Sequence, residues 1–241
     1  MSHQLSSEEQ FAEIKEFLAK TWKIIVAVII IGLLAFWGWR YWQSYQNQKM
    51  IDASDKYEQL VAKLDDTKTD SVNELVAFAK ENNSIYSVFA NLRAAQFYVE
   101  VLKDYSGAQE LLVDGLKKNK AEPIKSIISI RIARLQYQQG QYEQSLNSLN
   151  NVTEESWAPV VNDIRGDVLV KMTRYAEAVD AYKVALNSQP TKELEVNIKM
   201  KLNQTEYLNE KQQLEQKAQA DKEKAEQEAQ AKEATSEQNK N

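Results

Sequence analysis

Three kinds of pattern follow one another along this chain. The sixteen residues from Ile24 to Trp39 are apolar or glycine without interruption and uncharged, closed by Lys23 on one side and Arg40 on the other. At about 1.5 Å per residue the run covers roughly 24 Å. Snorkelling Lys20, Lys23 and Arg40, with a belt of Trp22, Trp37, Trp39, Tyr41, Trp42 and Tyr45, extends it towards the ~30 Å of a hydrocarbon core. Ten strongly apolar residues at about −0.3 to −0.6 kcal/mol each favour insertion by roughly 3–6 kcal/mol. A cleaved signal peptide needs small residues after the run, and bulky Trp39, Tyr41 and Trp42 stand there instead. The pattern predicts a retained transmembrane helix with its aromatic belt over residues 23–45.

Residues 1–22 read differently. Ser7-Glu8-Glu9-Gln10 has the form of a capping box, and Phe11, Ile14, Phe17 and Leu18 recur at three- and four-residue spacing. This predicts a short amphipathic segment that lies on the bilayer or meets a partner. Next to the span, Lys20 and Lys23 outweigh Arg40, a slight bias towards a cytoplasmic N-terminus.

From 46 to 208 the apolar positions take a helical period broken by short polar turns. Helical pairs are predicted at 52–64 with 71–80, 84–102 with 106–117, 124–138 with 142–149, and 160–172 with 175–187. A last helix follows at 193–208. The pairs repeat. Tyr105, Tyr142 and Tyr175 each open a second helix; a small residue (Ala108, Ser145, Ala178) stands three places on, and a large one (Leu112, Leu149, Tyr182) seven places on. Gly166, Leu169, Tyr175, Ala178, Tyr182, Ala185 and Pro190 match the spacing of a tetratricopeptide repeat. Pro123 and Pro159 stand near the starts of first helices, where a missing N–H costs nothing. Residues 209–241 are rich in Gln, Glu, Lys and Ala, with Leu214 the one large apolar residue, and predict a fluctuating helix or disorder. The fold class is therefore all-α: a single N-terminal transmembrane helix, a tetratricopeptide-like solenoid of helical hairpins, and a charged C-terminal tail.

Chemistry is sparse. The 241 residues hold no Cys and a single histidine, His3, so thiol catalysis and a Ser–His pair are excluded, and no phosphate-binding or metal-binding motif occurs. No catalytic residue, cofactor or metal is expected. A net charge of −5 argues against a nucleic-acid partner. What remains is a binding surface. On a tetratricopeptide frame, Arg93, Phe97, Arg134, Tyr137, Asp163 and Asp167 fall near the groove lined by the first helices, and guanidinium forks with aromatic faces suit an extended peptide or a partner's helix. The competing reading puts Phe97 and Tyr137 in the core and leaves the charges solvated. Within the span, Gly32, Ala35 and Gly38 recur every three residues and form a shallow strip for another transmembrane helix.

Gly38-Trp39-Arg40-Tyr41-Trp42, Ile130-Arg131-Ile132-Ala133-Arg134, and Ser156-Trp157-Ala158 followed by Asp163-Ile164-Arg165-Gly166-Asp167 lie in an order and spacing that resembles the ancillary SecYEG translocon subunit family. The likeness covers about Glu8 to Leu208. It implies a single-pass protein of the bacterial inner membrane, N-terminus cytoplasmic and repeat domain periplasmic. It also implies association with the SecYEG channel and with a membrane-anchored periplasmic chaperone of the prolyl-isomerase type, in a non-catalytic adaptor role for proteins emerging from the channel. Two other roles fit the same chain: a regulator that sequesters an envelope-stress signalling protein, and a structural spacer in an envelope assembly.

Overall fold

A computed structural model describes the backbone of residues 7–238 and the side chains of residues 11, 12 and 14–227. His3 and the side chains of the Ser7–Gln10 capping box lie outside these. Every regular element among the described residues is helical. The chain divides into two compact units, one ending at Gln59 and one beginning at Leu60.

The first unit is a single rod. Helix α1 runs from Ser7 to Ala62 without a break, so the described part of the segment expected at 1–22, the whole of 23–45 and most of the helix expected at 52–64 share one helix. The stretch contains no proline, and the cost of about 1 kcal/mol each for Gly32 and Gly38 does not stop a helix of this length. Every side chain from Ile24 to Trp39 is exposed. α1 is the one helix among the described residues long and apolar enough to cross a membrane. Trp39 and Trp42 pack with ring centroids 6.5 Å apart, and the Lys49 ammonium lies 4.6 Å from the Tyr45 ring centre. A Cβ at Gly32 or at Gly38 would meet nothing within 4 Å.

The second unit is a run of hairpins. A 3₁₀ turn (Thr69–Val72) leads into α2 (Asn73–Glu81). The pairs that follow are α3 (Ile85–Phe97) with α4 (Tyr105–Lys118), α5 (Glu122–Gln138) with α6 (Tyr142–Leu149), and α7 (Ala158–Lys171) with α8 (Tyr175–Asn187). Each helix packs on its neighbour in sequence, and α5 also touches α7. Local chemistry sets the ends. The Ser84 hydroxyl accepts from the Tyr86 N–H, and the Asp104 carboxylate accepts from the Gly107 N–H. Pro123 and Pro159 lie in the first turns of α5 and α7.

The tyrosine repeat has a shared geometry. Tyr105, Tyr142 and Tyr175 are the first residues of α4, α6 and α8. Two residues before each, the backbone turns left-handed, at Lys103 (φ 55°), Gly140 (φ 74°) and Thr173 (φ 58°). Three residues after each, Ala108, Ser145 and Ala178 are fully buried. Four further on, Leu112, Leu149 and Tyr182 fill the same layer. The turn is closed by an N–H donating to a carbonyl five residues back, Gln141 to Gln136 and Arg174 to Leu169. In the first of the three, Asp104 donates to Tyr98, six residues back. The extra residue is absorbed by a π-helical turn, Tyr98–Leu102, where the sequence predicted unbroken helix over 84–102. Allowing for it, Ala95, Ala133 and Gly166 are equivalent: small, buried, and placed where the second helix crosses.

Helix α9 runs from Lys192 to Gln238. Its first part packs on α8 and buries Ile198 in a core shared with Ile164, Val168, Ala181 and Tyr182. The described part of the tail continues this helix to Gln238, the helical one of the two forms expected for it: from 192 onward no proline or glycine interrupts a run of strong helix formers.

Gly166 is the tightest of these contacts. A Cβ there would overlap the Tyr182 ring, itself 1 % exposed and unable to withdraw into solvent. Gly166→Ala is expected to destabilise the repeat unit by about 1–3 kcal/mol through overpacking, read as a lower urea midpoint at unchanged m-value. Equal or higher stability would show that α7 and α8 separate freely.

Candidate functional site

The first helices of successive hairpins carry the side chains in question. On α7, Asp163 and Asp167 are one turn apart, and both receive the same ammonium. Lys201 of α9 donates to Asp163 Oδ1 at 2.8 Å and to Asp167 Oδ2 at 2.7 Å. The Tyr182 hydroxyl donates to the other oxygen of Asp167 at 2.7 Å. The side chains are 11 % (Asp163), 30 % (Asp167) and 30 % (Lys201) exposed, so water screens these charges only in part. Tyr137 of α5 stands close enough to feel Asp167 and Lys201, and packs on Tyr142 with ring centroids 6.0 Å apart.

Protonation follows this geometry. Burial raises the Asp163 carboxyl above its ordinary value and outweighs the lowering by Lys201. Burial pulls Lys201 down, yet its bonds to the two carboxylates hold it above the ordinary ammonium value. Tyr182 is pushed up by burial first and by its bond to Asp167 second. Tyr137 is raised by burial and then by the charge of Asp167. The cluster is one ammonium between two carboxylates, with two phenols kept neutral around it.

A separate cavity of about 600 Å³ opens between α3, the π turn, α4 and α5. Ala95, Val99, Leu112 and Leu135 give it an apolar lining with Tyr105, while Arg131, Arg134, Gln96, Glu100 and Gln138 supply the polar groups. Arg93 donates to the Gln96 carbonyl oxygen at 2.8 Å, and the Gln96 amide donates to Glu100 at 2.9 Å. The cavity's single carboxylate is thereby held along the α3 row.

The match to known proteins follows the same architecture. The model of the tetratricopeptide repeat-like domain family matches residues 15–207, from within α1 to within α9. An ancillary SecYEG translocon subunit of Escherichia coli (strain K12) is 32 % identical over 198 residues, 82 % of this chain and 96 % of that protein. The chain belongs to the ancillary SecYEG translocon subunit family. Relatives of the same name from Haemophilus influenzae (28 % identical over 204 residues, 84 % of this chain and 99 % of theirs) and Aggregatibacter actinomycetemcomitans (30 % over 186 residues, 77 % and 91 %) extend the likeness. The tetratricopeptide-like fold read from the tyrosine spacing is thus the family's fold. The family-model match stops at 207, short of the charged tail.

The six residues placed near the groove by sequence separate into distinct environments. Phe97 is 3 % exposed and belongs to the core, so it offers no ring to a ligand: with the π turn counted, it occupies the layer of Leu135 and Val168. Asp163 is not on a solvated face either; α9 covers it. Arg134 lines the cavity and lies near enough to Asp163 to lower its carboxyl. Arg93 is half-buried and tied to Gln96, and Tyr137 is half-buried against the core. Arg134, Tyr137, Asp163 and Asp167 therefore share one electrostatic neighbourhood, and Phe97 stands apart from it. Sequence reading missed Lys201, Tyr182 and Arg131. Lys201 lies on the capping helix, 34 residues beyond Asp167, and no local pattern links the two. Arg131 had a signal, since it stands one helical turn before Arg134. Gly32, Ala35 and Gly38 are exposed, as is every other residue of the apolar run from Ile24 to Trp39.

Replacing Lys201 by Met tests the latch. With its partner gone, mostly buried Asp163 is left uncompensated, and a loss of about 1–3 kcal/mol is expected, below the ~3–5 of a fully buried pair. A group whose folded pKa is raised contributes stability at low pH that is lost as pH rises through that value. For Lys201 the loss falls at alkaline pH, above the ordinary ammonium range. For Asp163 it falls across and above the ordinary carboxylate range, and further up in the variant, where no ammonium opposes the rise. The gap between wild type and variant is therefore widest near neutrality and narrows towards both acid and alkali. Thermal melts across pH measure it; a gap independent of pH would refute the assigned pairing.

Proposed function

We propose that this protein is a non-catalytic adaptor of the SecYEG translocon, held in the bacterial inner membrane by a single span. Residues 1–22 lie on the cytoplasmic side, 23–45 cross the bilayer, 46–208 form a periplasmic repeat domain, and 209–241 extend from it. The observation that carries this reading is the family match, which spans the apolar rod and the hairpins together. Lys20 and Lys23 before the span, against Arg40 after it, support the orientation.

The role is to receive proteins leaving the channel, alongside a membrane-anchored periplasmic chaperone of the prolyl-isomerase type. Anchoring makes this workable with weak contacts. A domain confined near the channel exit meets emerging chains at high effective concentration, so each contact need supply little affinity. A cavity that combines an apolar lining with guanidinium and amide groups, set between helices of successive hairpins, suits the holding of a polypeptide segment.

A photo-crosslinking residue at Trp39 in intact cells should give adducts with subunits of the channel, and one at Arg134 adducts with the chaperone and with newly exported chains. Protease added to spheroplasts should remove the repeat domain and leave the N-terminal segment protected. Recovery of the full chain in the soluble fraction, or Trp39 adducts free of channel subunits, would overturn the proposal.

A further inference from the structure

We infer that the cavity between α3 and α5 binds an extended polypeptide segment in which side-chain carboxylates flank a bulky aliphatic residue, with Arg131 and Arg134 as the anionic anchors. The inference rests on the adaptor reading and names the kind of chain its repeat domain takes.

Three observations converge on it. First, the cation balance is uneven. Arg131 and Arg134 are exposed at the cavity edge, and among the described residues neither makes a hydrogen bond or an ion pair. Arg174 and Lys201, by contrast, are each matched to two carboxylates. The one carboxylate in the cavity, Glu100, is already engaged through Gln96 in the row that starts at Arg93. The two guanidinium groups stand three residues apart on α5, where side chains are roughly 5–6 Å apart at Cβ; Arg134 feels Asp163 of α7 at a distance, but the donors of both forks remain unbonded among the described residues. Planar forks in that arrangement fit carboxylates better than any neutral group.

Second, the cavity has a floor for an apolar side chain. Val99, Leu112 and Leu135 line the same space as the two arginines, in a volume of about 600 Å³. A basic segment would place like charge against both arginines; a wholly apolar one would leave them without a partner.

Third, the backbone is irregular here and not at the equivalent places further on. The π turn inserts one residue into this hairpin alone of the three, and both Val99 and Glu100, which line the cavity, belong to it. Such insertions recur at functional sites because they re-aim side chains without breaking the helix. Where α9 closes the stack on α7, Lys201 meets the two α7 carboxylates, so the charges there are satisfied from within the chain.

The test uses the full chain in lipid nanodiscs and three fluorescent nine-residue peptides with blocked termini. These carry Glu-Leu-Glu, Gln-Leu-Gln or Lys-Leu-Lys at the centre and are otherwise identical. Anisotropy titration should show the Glu peptide binding at least tenfold more tightly than the Gln peptide, and the Lys peptide weakest. The double variant Arg131→Gln, Arg134→Gln should abolish the Glu-over-Gln preference while keeping the wild-type helical spectrum; Arg174→Gln, away from the cavity, should preserve it. A peptide carrying a photo-crosslinker should label Gln138. Equal affinity for the Glu and Gln peptides, undetectable binding of all three, or a preference that survives the double variant would each overturn the inference. The Trp39 crosslink to the channel reports separately: if it persists while the peptides fail, the adaptor reading stands and the acidic specificity falls.

Discussion

The repeat unit depends on how closely two helices can approach where the chain doubles back. Ala95, Ala133 and Gly166 hold that position in three successive hairpins, and each is buried beneath the second helix of its pair. The last is the most demanding, because the Tyr182 ring occupies the space a side chain would need. Close approach lets Ala108, Ser145 and Ala178 reach the first helix. In the middle pair it also lets the Ser145 hydroxyl donate to the Ala133 carbonyl at 2.7 Å, so that a buried polar group is satisfied by the backbone it packs on. Once that distance is set, the turn tyrosines and the residues seven places beyond them fall into register, and one hairpin offers the next a face of the right shape.

A stack built this way has an open end. Helix α9 closes it with Ile198 in the core and with Lys201 across two carboxylates of α7. The arrangement is asymmetric in charge, one ammonium for two carboxylates, and burial raises Asp163 despite its partner. The pairing favours one docking position of α9, since a helix misplaced by one turn would leave Asp163 covered and unpaired. The same contacts remove Asp163 from any surface available to a partner, which is why the neighbouring hairpin, where neither Arg131 nor Arg134 makes an ion pair among the described residues, is the stronger candidate for recognition.

The π turn at Tyr98–Leu102 joins these two themes. It preserves the packing layer, because Ala95 and Phe97 still fall where Ala133 and Leu135 do in the next hairpin, and it spends its extra residue on the side facing the cavity. Structure is kept where the core needs it and altered where the surface is free to change.

Much of this was legible in the residues. Sixteen apolar or glycine positions in a row point to a membrane-crossing helix, because a rod apolar on every side needs either a large protein core or lipid around it, and the polar sequence on both flanks offers no such core. The tyrosine period, the small residues three places after it and the prolines at helix starts named the hairpins, since each reports a local backbone requirement. Contacts between distant segments were not legible. Nothing near Asp163 announces Lys201, nothing in residues 84–102 marks an added residue, and Phe97 looks the same in sequence whether it faces a groove or a core. Periodicity assigns a residue to a face of its own helix; which neighbour covers that face is decided when the hairpins stack, by volume and charge summed over segments tens of residues apart.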